Sequence, residues 1–259
     1  MCLIVFANDC HPRYCLILGA NRDEYRDRAS EPSRFWVDYP QVLAGRDKLA
    51  GGTWLGVTGN GKFAAITNYR DPRRQLVDPP SRGGLVSAFL CDPLATPADF
   101  RLTLNRERER YDGFNLLYGY GNDLHYFTNR GGSSGPIPGG VHGLSNHLLD
   151  TGWPKLTVAR ARLAAIVEQA NPDAEQIFEA LSDPAPFADG MLPDTGVGSE
   201  RERLLSPIFI AGEGYGTRST TVLLIERSGL VTFVERTFDP AVTAPLTVRH
   251  SFRIRPAVK

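Results

Sequence analysis

CLIVFANDCHPRYCLILGANRDE, residues 2–24, holds two β-rich apolar runs, Cys2–Ala7 and Tyr14–Ala20, joined by a polar loop over residues 8–13 with Asp9 and a His11-Pro12 pair. Two such runs with so short a connection read as a hairpin. The second run ends in Asn21-Arg22-Asp23-Glu24, so four polar residues finish an apolar strand close to where the first strand begins at Cys2. Alternate residues of an extended segment share a face, which turns Asn21 and Asp23 one way and Arg22 and Glu24 the other. Only one of these pairs can face Cys2.

Outward from this hairpin, Thr53–Thr58 and Lys62–Asn68 flank Gly59-Asn60-Gly61 and read as a second one. Gly56–Lys62 matches the G-x-x-x-x-G-K of a phosphate-binding loop, but Phe63 stands where Ser or Thr should meet magnesium, and a strand-like run follows instead of a helix. A nucleotide site is therefore rejected. Between the hairpins, the stretch from Glu31 to Gln41 is punctuated by proline. Helices are expected over Gly84–Cys91, Thr96–Arg110, Trp153–Ala170 and Ala174–Leu181, and strands over Phe114–Tyr120 and Leu124–Thr128. Residues 182–200 carry three Pro and three Gly and read as a long loop of the kind that forms a lid. Strands over Ile208–Ala211, Ser219–Glu226, Leu230–Thr237 and Leu246–Ile254 close the chain. Without regular β-α alternation, the pattern predicts an α+β domain of mainly antiparallel sheets spanning residues 1–259.

The 29 Lys and Arg balance 29 Asp and Glu, so no basic surplus exists to draw nucleic acid or an anionic membrane. The longest apolar runs, Leu3–Ala7 and Val222–Ile225, fall far short of the ~20 residues that a spanning helix needs. No Lys or Arg precedes the first of them, so neither a secretory leader nor membrane insertion is expected, and the expected location is cytoplasmic. Cysteines at 2, 10, 15 and 91 lack C-x-x-C spacing, and His142 and His147 lie five apart, so reduced thiols and no metal site are expected. Oligomeric state is left open.

Cys2 has two readings. Removal of Met1 ahead of a small residue exposes an α-amine and a thiol on one residue, a nucleophile carrying its own base, because such an amine has a pKa of about 7.7–8.0. Alternatively, Cys2 simply starts a buried strand as a small hydrophobe.

The Met-Cys start, NRDE at 21–24, GGTWLG at 51–56, ITN at 66–68, SRGGL at 81–85, GFN at 113–115, GLSN at 143–146, WPK at 153–155 and YGTRSTT at 215–221 together resemble the NRDE family, also called the transport and Golgi organization protein 2 family. That resemblance implies the four-layer αββα sandwich of N-terminal nucleophile hydrolases, and a link to haem mobilisation and to lipid or acyl-CoA homeostasis. A more distant similarity to bile salt hydrolase and penicillin V acylase implies catalytic roles for Cys2, Asp23, Asn68, Asn146 and Arg218. Asp23 would hold the α-amine, the two Asn would offer donors, and Arg218 would favour the thiolate. Under this assignment Arg22 faces away from Cys2. Asn21, Trp54, Tyr69, Trp153 and Tyr215 are expected to bind substrate; the Arg70-Asp71-Pro72-Arg73-Arg74 cluster directly after Asn68 is expected to form a solvated turn, with reception of an anionic group such as a carboxylate or phosphate as the alternative. The function expected from the resemblance is an N-terminal-cysteine amidohydrolase cleaving a non-peptide amide or thioester of a small acyl compound, without cofactor. The alternative is a non-catalytic carrier of haem or an acyl ligand on the same scaffold.

Overall fold

The opening hairpin forms and runs further than its apolar residues: β1 (Cys2–Asn8) pairs antiparallel with β2 (Tyr14–Tyr25), from Cys2 opposite Arg22 to Asn8 opposite Leu16. The structure, a computed structural model, describes residues 2–121, 123–239, 242 and 244–255. Next come β3 (Ser30–Phe35), β4 (Val42–Asp47), β5 (Leu55–Thr58), β6 (Lys62–Asn68), α1 (Gly83–Cys91) and α2 (Pro97–Glu107). The middle of the chain adds β7 (Phe114–Tyr120), β8 (Asp123–Thr128), β9 (Gly135–Pro136), β10 (Gly140–Leu144), α3 (Pro154–Val167) and α4 (Ala174–Ala180). The last elements are α5 (Ser199–Leu204), β11 (Tyr215–Glu226), β12 (Leu230–Thr237) and β13 (Leu246–Arg253).

These strands form two antiparallel sheets, one ordered β10-β1-β2-β11-β12-β13 and the other β3 to β9 in chain order. The period-two alternation of the hairpin sorts its side chains between two cores. Ile4, Phe6, Leu16, Leu18 and Ala20 pack toward Leu43, Val57, Phe63 and Leu117 of the second sheet. Leu3, Val5, Ala7 and Ile17 pack outward under Leu156, Leu163 and Ile177 of α3 and α4. On the far side, Val86 and Phe89 of α1 and Phe100 and Leu104 of α2 cover Val42, Ala64, Leu116 and Tyr118. Each such buried Leu, Ile or Phe contributes about 1.5–3 kcal/mol relative to exposure. The result is the αββα sandwich of an α+β protein.

Local chemistry explains the element ends. Thr96 caps α2 by accepting the Asp99 backbone N–H at 3.2 Å, and Pro97 takes the first helical position. The would-be phosphate loop is the β5–β6 hairpin, and Lys62 is buried at its exit, donating to the carbonyls of Phe89 and Asp92 where α1 ends. Three expectations change. The Pro-punctuated stretch contains β3, an edge strand whose register shifts between Glu31 and Arg34 around Pro32, which an edge tolerates because proline needs no ladder donor there. Ile208–Ala211 forms no strand, and Thr217 serves it instead through N–H to the Ile210 carbonyl at 2.8 Å and Oγ1 to the Ile210 N–H at 2.9 Å. The loop over 182–200 contains a 3-10 turn at Asp189–Met191 and runs into α5.

Candidate functional site

Cys2 begins β1 directly opposite Arg22, and directly opposed residues of an antiparallel pair share a face. The thiol therefore lies on the Ile4 side, between the sheets, with the Arg22 guanidinium beside it. Both line a cleft of ≈ 530 Å³ together with Glu24, Trp54, Asn68 and Arg218. Arg22 was expected to turn away, but the register pairs even-numbered residues of β1 with even-numbered residues of β2 and so aligns Arg22 with Cys2. Cys2 is 8% exposed, and burial pushes its thiol up to about 11, with the Asp23 carboxylate adding to the rise and Arg22 opposing it. The Asp23 backbone N–H also hydrogen-bonds the sulfur, which favours the thiolate.

Asp23 follows Arg22 in β2, its side chain on the other face of the strand, and stands opposite Thr217 of β11. Its Oδ1 accepts from Thr217 Oγ1 at 2.7 Å, its carbonyl accepts from Tyr215 Oη at 3.0 Å, and the residue is buried. Burial raises the pKa of this carboxyl, opposed chiefly by the charge of Lys155. Lys155 is itself buried, donates to the Leu205 carbonyl at 2.9 Å and has its pKa pushed down by burial to about 8, with Asp23 the strongest opposing charge. Sequence reasoning missed this lysine as a site residue. The available signal was its helical step: Lys155, Ala159 and Leu163 are four apart, on the stripe that faces the core.

Of the remaining expected site residues, Asn68 and Arg218 line the first cleft. Arg218 occupies a β-bulge between Thr217 and Ser219, and its Nη1 donates to the carbonyls of Tyr25 at 2.9 Å, Arg26 at 2.7 Å and Arg28 at 3.3 Å. Bulges re-aim side chains in this way. Asn146 lies behind the cleft, its Nδ2 donating to the Asn68 carbonyl at 3.0 Å and its Oδ1 3.2 Å from Ser145 Oγ, which also lies 3.1 Å from the Cys2 carbonyl. Asn21 faces α4, where it ties the sheet to neighbouring loops.

Trp54 lines the first cleft. Tyr69 and Tyr215 line a second one of ≈ 960 Å³, which shares Glu24, Asn68, Arg82 and Asp112 with the first and is walled by Pro184, Pro186 and Leu204 of the 182–204 segment. That segment is fastened by Glu202, which pairs with buried Arg70 and accepts the Thr195 N–H at 2.9 Å. Trp153 contributes to neither cleft and instead carries the Arg70 guanidinium 5.0 Å above its ring. Within the expected solvated turn, Arg70 is thus buried, while Arg74 is exposed and pairs with Glu109 at 2.8 Å.

Among the described residues no group of three or more His, Cys, Asp or Glu is arranged to hold a metal ion, and no helix is long and apolar enough to cross a membrane. His142 bonds Asp150 at 2.8 Å, and His147 bonds Thr151 at 3.0 Å.

Comparison with known proteins supplies the family. The profile described as Transport and Golgi organisation 2 matches residues 1–240. The Transport and Golgi organization 2 homolog of Mus musculus is 35% identical over 258 residues, covering 91% of this chain and 92% of its own length. The Homo sapiens homolog is 34% identical, with the same coverage. Among solved structures, the N-acylethanolamine-hydrolyzing acid amidase ortholog of Caenorhabditis elegans aligns with a TM-score of 0.50 at 11% identity, covering 86% of this chain and 92% of that one. At that identity the likeness speaks for the fold alone, an N-terminal nucleophile hydrolase-like sandwich. The chain belongs to the Transport and Golgi organisation 2 family.

Proposed function

We propose that, once Met1 is removed, this protein is an N-terminal-cysteine amidohydrolase acting on a non-peptide amide or thioester of a small acyl compound. The observation that carries the reading is the start of β1: the Cys2 thiol lines a cleft beside Arg22, and the buried Asp23 follows Arg22 in the paired strand. Met1 itself lies outside the described residues.

In this reading the freed α-amine, held by Asp23, takes the thiol proton, and the Cys2 sulfur attacks the substrate carbonyl. The C–N or C–S bond breaks, the leaving group departs with that proton, and water then cleaves the acyl-cysteine to release the acid. Asn68 stands where the two clefts meet and is the candidate donor to the oxyanion. The second cleft, with its wall of Pro184, Pro186, Val197 and Leu204, suits the acyl portion.

One observation favours the carrier reading for any chain that keeps Met1: a thiol pushed up to about 11 is a poor nucleophile near neutral pH. No histidine lines either cleft among the described residues, so haem as cargo would depend on Cys2 or a tyrosine, and an acyl ligand suits these walls better.

The test is incubation of Met1-free protein with amide and thioester panels, alongside a haem titration. Turnover with an acyl adduct on Cys2, lost in Cys2→Ala, supports the hydrolase. Stoichiometric ligand binding without adduct or turnover supports the carrier.

A further inference from the structure

Two buried guanidinium nitrogens of residues that line the Cys2 cleft lack hydrogen-bond partners among the described residues: Arg22 Nη1 and Arg218 Nε. Orphaned buried donors of charged groups are costly, and native structures rarely keep them unless something else satisfies them. Both arginines line the first cleft. Arg22 is 8% exposed, and Arg218 is the bulge residue at the register where Ser219 faces Arg22.

Each guanidinium is poorly neutralised. Among the described residues the one ion pair of Arg22 is Nη2 with Glu24, at 3.9 Å, and that carboxylate also lies 3.8 Å from Arg28. Arg218 Nη1 is held by three backbone carbonyls, which orient it without cancelling its charge, and the opposing charges near it, Asp239 and Glu24, form no ion pair with it among the described residues. Asp23 and Glu235 are the buried acids of the same cleft; Asp23 Oδ1 is engaged by Thr217 Oγ1 at 2.7 Å, Glu235 accepts the Ser33 N–H at 2.7 Å, and burial raises the pKa of both, which favours their neutral forms. Burial also lowers the pKa of Arg218, and among nearby charges Arg22 is the largest contributor, so the two cations repel across the cleft floor.

We propose that the floor of the first cleft, between Arg22 Nη1 and Arg218 Nε, binds an anionic oxygen of the ligand, a carboxylate or a phosphate. The proposal takes from the preceding section only that this cleft is the ligand site, and it stands whether the ligand is cleaved or carried. An anion there satisfies both orphaned donors and removes the like-charge repulsion. Charge-assisted hydrogen bonds to guanidinium are the strong ones.

The experiment uses full-length Cys2→Ala protein, which cannot carry out the proposed chemistry, and measures calorimetric affinities for decanoate, decyl phosphate, neutral decanamide and inorganic phosphate. Decanoate or decyl phosphate should bind about tenfold or more tightly than decanamide. Arg22→Met should collapse that preference while leaving decanamide affinity and the circular dichroism spectrum unchanged. Arg218→Met should do the same and serves if the first variant folds poorly. Equal affinity for acid and amide, or a preference that survives both substitutions, overturns the proposal. Inorganic phosphate binding as tightly as decyl phosphate, with the same arginine dependence, supports the anion site and assigns it to a free anion. Turnover is read separately on the Met1-free parent protein. Its absence tells against the hydrolase and leaves the anion preference untouched.

Discussion

Asn21 and Thr220 stand opposite one another in β2 and β11, and Thr220 Oγ1 donates a 2.6 Å hydrogen bond to Asn21 Oδ1. The same amide donates to the Leu181 carbonyl at 3.0 Å and the Ile208 carbonyl at 2.8 Å. One side chain thus ties the sheet to the end of α4 and to the irregular chain at 208, and its work is structural. Asn21→Ala strips partners from a buried hydroxyl and two carbonyls and should cost about 2–4 kcal/mol. Urea denaturation reads that loss, and ligand affinity per folded molecule should not change. A loss of affinity at unchanged stability would return Asn21 to the substrate contacts.

The GGTWLG and SRGGL blocks are two sides of one backbone crossing. A Cβ added to Gly52 would lie 2.8 Å from the Gly83 carbonyl carbon, and one on Gly83 would lie 2.9 Å from the Thr53 oxygen. Backbone meets backbone at the wall of the first cleft, where α1 begins, and neither chain can yield as a side chain can. Gly83→Ala should cost about 1–3 kcal/mol, read as a melting temperature lowered by roughly 2–4 °C per kcal/mol. Gly84→Ala is the control, because nothing lies within 4 Å of its added Cβ. It should be neutral or stabilising by up to about 1 kcal/mol.

Lys155 gives the fold a pH dependence of definite sign. Burial lowers its pKa from 10.5 to about 8. Between those values the unfolded chain holds a proton that the folded chain has released, so stability rises with pH across that window, and the full penalty is present below it. In Lys155→Met the contribution vanishes. Wild type should therefore gain about 1 kcal/mol relative to the variant between pH 7 and pH 9. Chemical denaturation of both proteins at the two pH values measures it. A difference that stays constant would mean that Asp23 keeps the lysine charged throughout.

The hairpin from Cys2 to Glu24 was readable because its alternation and short loop are local properties. The alternation separated Asn21 and Asp23 from Arg22 and Glu24, yet it could not say which pair accompanies the thiol. That depends on the pairing register and on α3 and α4 covering the odd-numbered face, both of which are long-range facts. β10, with two glycines and a histidine among five residues, has no strand signature and exists because β1 offers it a free edge. Asn146 was placed by resemblance, and its bond to the Asn68 carbonyl becomes visible only when β6 and the end of β10 are brought together. Lys155 hid behind its charge, although its helical step already placed it among core residues.

The four cysteines supply the most direct check on the proposed nucleophile. Cys10 is exposed, whereas Cys2 and Cys15 are buried and Cys91 is partly buried. Burial pushes the Cys2 and Cys91 thiols up to about 11, and Cys15 Sγ is further engaged with the Ile225 carbonyl at 3.3 Å. With Met1 attached, limiting iodoacetamide near neutral pH should therefore label Cys10 first, although sequence alone would have favoured Cys2. Removal of Met1 creates an α-amine with a pKa of about 7.7–8.0 on the same residue as the thiol. Its protonated form stabilises the thiolate and its neutral form accepts the thiol proton, so Cys2 labelling should rise about tenfold or more. In the proposed mechanism Asp23 holds the freed α-amine, so Asp23→Asn in the Met1-free chain should forfeit most of that gain. Peptide mapping by mass spectrometry separates the four sites. If Cys2 reacts no faster without Met1 than with it, the amine does not activate the thiol, the hydrolase reading fails, and the clefts belong to a carrier.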